Sequence, residues 1–161
     1  IDEKERLFRP GQSVLDLGAA PGGWSQVAAQ KVKPAGKVIA IDLLPIAPIP
    51  GVEVRKGDFR AQLSDLAPMD IVLSDLAPNL SGIRDADQAR SLELLPAAVD
   101  VCRTLLKPGG TFVTKAFHGG AYDDAVAELK KAFSSVKVVK PAASRGESRE
   151  TYLVARLQKR N

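Results

Sequence analysis

The alternation of short apolar runs with helical patterns constrains the fold of this sequence most. Runs such as VLDL, KVIAID and MDIVLSD are apolar almost throughout, and helical patterns cover about 24–32, 85–106 and 122–133. Strands that are apolar on both sides are buried on both sides, which is typical of parallel sheets covered by helices on each face. The sequence therefore predicts an α/β fold with a mostly parallel sheet and helices on both faces.

The last two apolar runs, VKVVK (136–140) and TYLVARL (151–157), predict an exception to the parallel arrangement. The segment 141–150 between them is too short for the helical crossover that joins parallel strands, so one of the seven predicted strands is antiparallel. Two signals that interrupt or end secondary structure precede these runs in the sequence. Pro96 predicts a kink or restart in the long helix, and KPGG (107–110) predicts the end of that helix and a turn.

Length, composition and charge limit the classes of protein to which this chain can belong. The length of 161 residues suits one domain, which we expect to span 1–161. No apolar run reaches the length of a membrane span, and the single cysteine, Cys102, is expected to be a core thiol in a reducing compartment. The net charge of +4 favours a polyanionic partner, and basic residues crowd the last third of the chain. Because the chain starts at Ile1, we expect an N-terminal segment of the parent protein to be missing.

A glycine-rich loop after the first strand, GAAPGGW (18–24), predicts a cofactor site, since ligands bind at the carboxyl ends of such strands. It lacks the dinucleotide pattern, because Ala20 stands where the second glycine would approach a pyrophosphate. This disfavours a dehydrogenase. Asp42 lies at the usual sequence separation from the loop for an acid that hydrogen-bonds to ribose hydroxyls. Asp58 could accept a hydrogen bond from an adenine amino group. A phosphate-free nucleoside, S-adenosylmethionine, fits this set.

Three motifs carry a resemblance to a known family. VLDLGAAPGGWSQ, SDLAPN and SRETY together resemble the FtsJ-type (RrmJ-type) ribosomal RNA 2′-O-methyltransferases, with IAIDLLPI and KGDFR in matching order between them. The similarity covers nearly the whole chain. It implies a Rossmann-like S-adenosylmethionine-dependent methyltransferase fold.

The resemblance also implies site residues. The catalytic ones are Asp75, Lys115 and Glu150, and the cofactor-binding ones are Gly22, Trp24, Asp42, Asp58 and Asp75. A further catalytic lysine of the family precedes the segment with which this chain begins, so we expect this chain to lack it. Lys115 is either a neutral general base or a cation that orients the hydroxyl and stabilises negative charge. One histidine, His118, cannot make a metal site.

The activity implied is methyl transfer to a ribose 2′-hydroxyl, with a uridine of large-subunit (23S-type) ribosomal RNA as the target. We expect a cytoplasmic monomer that uses no metal and binds no membrane. Two alternatives stay open: a non-catalytic RNA-binding or ribosome-assembly module on the same fold, and a 2′-O-methyltransferase that acts on transfer RNA or an mRNA cap.

Overall fold

A computed structural model describes residues 7–18, 23–74, 84–117, 120–139 and 150–158. Within these ranges the strands are β1 (Ser13–Leu17), β2 (Lys37–Asp42), β3 (Val52–Lys56), β4 (Met69–Ser74), β5 (Leu106–Phe117), β6 (Ser135–Val139) and β7 (Glu150–Arg156). The helices are α1 (Gly23–Val32), α2 (Arg84–Leu105) and α3 (Gly120–Ala132), with a 3₁₀ turn at Phe59–Ala61.

The seven strands of this described part form one sheet in the order β3-β2-β1-β4-β5-β7-β6. Only β7 runs against its neighbours β5 and β6, and the other pairs are parallel. The predicted mostly parallel sheet with one antiparallel strand is confirmed. The strand order reverses between β1 and β4, and a crevice at the carboxyl ends on either side of such a reversal is where ligands bind in this class of sheet.

Helices cover both faces, as predicted. On one face α1 buries Ala28, Ala29 and Val32 against a cluster that includes Val14 of β1 and Val113 of β5. On the other face α2 and α3 bury apolar residues at helical spacing, among them Ala98, Cys102 and Leu129, with Leu15 and Phe112 of the sheet. Burial raises the pKa of the Cys102 thiol, so this side chain is an unreactive core residue, as the sequence predicts.

The long helix ends before KPGG, at Leu105, as predicted. The predicted turn is wrong, because β5 already begins at Leu106 and includes the KPGG segment. Gly109 adopts a φ of +80°, donates its N–H to the Leu157 carbonyl at 3.2 Å, and lies at an irregularity in the β4–β5 register. Of the two outcomes predicted at Pro96, a restart is excluded, because α2 runs through it from Arg84 to Leu105, and a kink stays a prediction. No helix in the described ranges is long and apolar enough to span a membrane.

Candidate active site

The carboxyl ends of β1, β2 and β3 are joined by two backbone hydrogen bonds. Gly18, just after β1, donates to the Ile41 carbonyl at 2.9 Å, and Gly57, just after β3, donates to the Asp42 carbonyl at 2.8 Å. The φ angles of these glycines are +68° and +142°, values that other residues rarely adopt. The chain therefore turns at the same level after each strand, and Asp42 and Asp58 lie at adjacent strand ends.

Asp42 is held by its own loop. One of its carboxylate oxygens accepts the Leu44 backbone N–H at 2.8 Å, which is a local Asx-type turn. The Asp42 side chain is half-buried at the end of β2, whereas Leu43 and Leu44 are exposed beside it. A carboxylate fixed in this way is oriented before a ligand arrives, which suits recognition of a pair of hydroxyl groups.

Asp58 begins a short turn after β3. Its backbone carbonyl accepts the Ala61 N–H at 3.0 Å, and the next residue, Phe59, is buried in the core. Asp58 itself is exposed. The predicted adenine-binding acid is therefore attached to an anchored segment while it faces solvent.

The loop between β1 and α1 is bracketed by a buried pair. The Ser25 hydroxyl, in the first turn of α1, donates to a carboxylate oxygen of Asp16 in β1 at 2.6 Å, and both residues are buried. This bond ties together the two elements that flank the glycine-rich segment. Gly22, predicted to bind the cofactor, lies outside the described residues. Sequence reasoning missed the pair, although a charged residue inside an apolar strand was a signal for it.

Two of the three predicted catalytic residues, Lys115 and Glu150, lie in the paired strands β5 and β7. Their antiparallel register pairs Lys115 with Tyr152 and Phe117 with Glu150, so Glu150 occupies the position diagonal to Lys115. Residues at such diagonal positions are about 7–8 Å apart. Lys115 is half-buried, and it lies on the α1 face of the sheet because its strand neighbour Val113 belongs to the cluster under α1.

An aromatic contact joins this strand pair to the glycine-rich loop. The ring of Trp24, the second residue of α1, lies 5.4 Å from that of Tyr152 at an interplanar angle of 38°. The structure thus brings Trp24, Tyr152 and Lys115 together, three residues that are far apart in the sequence. Sequence reasoning missed Tyr152, whose signal was its place two residues after Glu150 in a strand of period two.

Asp75, predicted to serve both catalysis and cofactor binding, lies outside the described residues. Ser74, which precedes it, pairs with Leu17 of β1 and Thr114 of β5 at the point where the strand order reverses. His118 also lies outside. Among the residues that the structure describes, no group of three or more His, Cys, Asp or Glu side chains could hold a metal ion.

Four basic residues of the last third that the structure describes lie away from the carboxyl ends of the parallel strands or within a strand. Lys130 and Lys131 are exposed in the last turn of α3, and Arg156 ends β7, all at the edge of the sheet opposite the predicted site. Lys137 lies within β6, and Arg145 and Arg149 lie outside the described residues. Lys130, Lys131 and Arg156 therefore do not contribute to the predicted site.

Comparisons with known proteins agree with the motifs. The sequence model of the FtsJ-like methyltransferase family matches residues 1–158. The ribosomal RNA large subunit methyltransferase E of Alkalilimnicola ehrlichii is 52% identical over 164 residues, which cover 97% of this chain and 78% of the relative. The protein of the same name from Marinobacter nauticus is 49% identical over 164 residues, covering 97% and 79%.

Solved structures share the fold. A protein described as a ribosomal RNA methyltransferase of Plasmodium falciparum superimposes with a TM-score of 0.79 at 28% identity, covering 99% of this chain and 93% of that one. An S-adenosylmethionine-dependent O-methyltransferase of Thermotoga maritima gives 0.69 at 18% identity, covering 98% and 63%. The predicted Rossmann-like fold, the methyltransferase activity and S-adenosylmethionine as the cofactor are confirmed. This chain belongs to the FtsJ-like methyltransferase family.

Proposed function

We propose that this protein transfers a methyl group from S-adenosylmethionine to a ribose 2′-hydroxyl of ribosomal RNA, with a uridine of the large-subunit RNA as its target. The observation that carries the proposal is the register of β5 and β7, which sets Lys115 opposite Tyr152 and diagonal to Glu150 on the α1 face. The names of the relatives, ribosomal RNA large subunit methyltransferase E, support the choice of RNA.

The residues present fit the cofactor. Asp42 and Asp58 supply carboxylates at adjacent strand ends, linked through the Gly57–Asp42 backbone bond. A carboxylate accepts hydrogen bonds from both ribose hydroxyls or from the adenine amino group, and no cationic phosphate cradle is needed. Asp42 would hold the ribose and Asp58 the adenine, whereas Gly22, Trp24 and Asp75 would line the methionine end.

When bound, the cofactor would supply an electrophilic methyl group on its sulfonium. The ribose 2′-hydroxyl would give its proton to Lys115 Nζ as its oxygen takes that methyl group, and the carbon–sulfur bond would break to leave S-adenosylhomocysteine. A lysine with its ordinary pKa of about 10.4 is mostly protonated at neutral pH, so this role requires a lowered pKa in the RNA complex. Asp75 and Glu150 would orient the amine. No metal is required for these steps.

RNA would reach this site along the edge at which β6 ends and β7 begins. Arg145 and Arg149 belong to the segment that joins these two strands, so they are our candidates for phosphate contacts near the reacting ribose. Such contacts set affinity without reading sequence, and specificity would then come from the shape of the ribosomal RNA. We further propose a single catalytic domain that acts as a monomer in the cytoplasm.

The test uses tritiated S-adenosylmethionine and large ribosomal subunits from cells that lack the gene. We expect label in the ribosomal RNA, and digestion to nucleosides should recover it as 2′-O-methyluridine. Transfer RNA and capped RNA are assayed in parallel, and preferential labelling of either would overturn the target. Label recovered in a methylated base would overturn the reaction, and RNA binding without any transfer would favour the assembly-module alternative.

A further inference from the structure

Arg55, in the edge strand β3, holds the segment that follows Asp58. Its Nη1 donates to the Gln62 carbonyl and to Asp65 Oδ1, each at 2.8 Å, and its Nη2 donates to Asp65 Oδ2 at 2.9 Å. Its Nε donates to Glu53 Oε2 in the same strand. All three guanidinium nitrogens are therefore engaged by protein groups. The hydrogen bonds that Arg55 donates to Asp65 and, to a smaller extent, to Glu53 raise the pKa of Arg55.

These contacts close a short loop. The strand end is tied to β2 by the Gly57–Asp42 bond, and the far end of the turn is tied back to β3 by Arg55. Asp58 lies between the two ties. A Cβ at Gly57 would lie 2.8 Å from Gln62 Nε2, which shows how closely the two limbs of the loop approach.

The geometry of the Arg55–Asp65 pair favours a role in positioning the loop over a role in stabilising the fold. The Asp65 side chain is 64% exposed and that of Arg55 is 19% exposed, and ion pairs with an exposed partner add little to stability. A bidentate arginine–carboxylate pair nevertheless fixes direction, because two parallel N–H bonds allow only one orientation. Lysine, with a single ammonium group, cannot reproduce that fork.

We propose that Arg55 is a positioning residue for cofactor selectivity: it fixes the loop that carries Asp58 so that the Asp58 carboxylate meets the amino group of the cofactor's adenine. Arg55 acts through residues 62–65 and does not itself touch the cofactor. The proposal rests on the proposed function, because it assumes that Asp58 binds adenine. It goes further by assigning discrimination between a 6-aminopurine and a 6-oxopurine to a residue outside the predicted site.

The test compares two ligands by titration calorimetry, S-adenosylhomocysteine and S-inosylhomocysteine, in which an oxygen replaces the amino group. Loss of a hydrogen bond to a charged group predicts that the wild-type protein prefers the adenine ligand about tenfold or more. Asp58→Ala should remove most of that preference. Arg55→Gln and Asp65→Asn should each reduce it at least threefold, and Arg55→Lys should retain part of it. Arg55→Gln added to Asp58→Ala should change the ratio no further.

The matched control is Lys107→Gln, which breaks another ion pair with an exposed partner, Lys107–Asp70, and should leave the ratio unchanged. If Asp58→Ala leaves the ratio unchanged, the adenine placement in the proposed function is wrong, and this proposal falls with it. If Asp58→Ala lowers the ratio but Arg55→Gln and Asp65→Asn weaken both ligands equally, only the positioning role is overturned. Should Arg55→Gln fail to fold, Asp65→Asn decides, because its side chain is largely exposed.

Discussion

Charged residues have different contacts at the two ends of the parallel strands. We call the side of the sheet where these strands begin the amino edge and the side where they end the carboxyl edge. At the amino edge, Asp70 accepts the Ser13 backbone N–H at 2.8 Å and the Lys107 ammonium at 3.3 Å, so this acid joins the starts of three adjacent strands. At the carboxyl edge, Asp42 accepts a backbone N–H of its own loop, and Asp58 is exposed at the head of a turn. Asp70 connects protein elements, whereas Asp42 and Asp58 stand on turns that are themselves anchored.

The helices explain part of this difference. In a parallel sheet with crossover helices, each helix begins at the carboxyl edge and ends at the amino edge. Cations in the last turn of a helix interact favourably with its dipole, and Lys31, Arg103, Lys130 and Lys131 occupy such positions. A basic amino edge therefore needs no ligand to account for it, and charge is most informative about function at the other edge.

The largest expected effect separates two lysines of the same strand. Lys115→Ala should lower methyl transfer by about 10²–10⁴-fold, the usual contribution of a general acid–base group, and should change cofactor affinity little. Lys107→Ala, at the amino edge of β5, should leave turnover nearly intact. Tritiated methyl incorporation measures the turnover of both variants, and calorimetry measures their affinity for the cofactor. Near-normal turnover of Lys115→Ala would remove it as the proton acceptor.

A second comparison between the two edges uses one aspartate from each. Asp42→Ala should weaken S-adenosylmethionine binding at least tenfold, because about 1.5–3 kcal/mol is lost for each hydrogen bond to a charged group. Asp70→Ala should instead lower the free energy of unfolding by about 1 kcal/mol and leave binding unchanged. Calorimetry and urea denaturation, run on both variants, give the two readouts. The same pattern in both variants would mean that the edges do not differ as described.

The buried pair at the carboxyl edge should behave as a structural element. Ser25→Ala removes the hydroxyl that donates to Asp16, so the free energy of unfolding should fall by about 1–3 kcal/mol. Ser134→Ala is a control at the amino edge, since that hydroxyl bonds an exposed carbonyl of Arg156 and should contribute little. Equal denaturation midpoints for the two variants would contradict the importance of the pair.

The smallest expected effect concerns RNA and salt. Replacing Arg145 and Arg149 with glutamine should lower the slope of log affinity against log salt by about one to two, since each phosphate contact contributes about 0.7–0.9. Replacing Lys130 and Lys131 should leave that slope unchanged and cost about 0.3–1 kcal/mol of stability each through the helix dipole. Filter binding of a ribosomal RNA fragment at several salt concentrations decides between them. A slope that falls only for the lysine pair would place the RNA on the amino edge.

The sequence by itself determined the elements and the edge on which the predicted site lies. The centre of KVIAID, residues 38–41, is apolar and is buried on both faces of the sheet, as such a run predicts. The short connection before β7 left an antiparallel strand as the solution. The placement of Asp42 and Asp58 at neighbouring strand ends could be predicted as well, because the carboxyl ends of parallel strands share one edge of the sheet. All these properties depend on residues close together in the chain.

The tertiary structure alone decided which distant residues meet. The local sequence KPGG predicts a turn, yet it belongs to β5, because Gly109 and Gly110 form backbone hydrogen bonds with Leu157 of the last segment. Trp24 touches Tyr152 only because α1 packs on the face where β5 and β7 pair. Local periodicity carries no information on such contacts, since they arise when separate elements bury their apolar faces together.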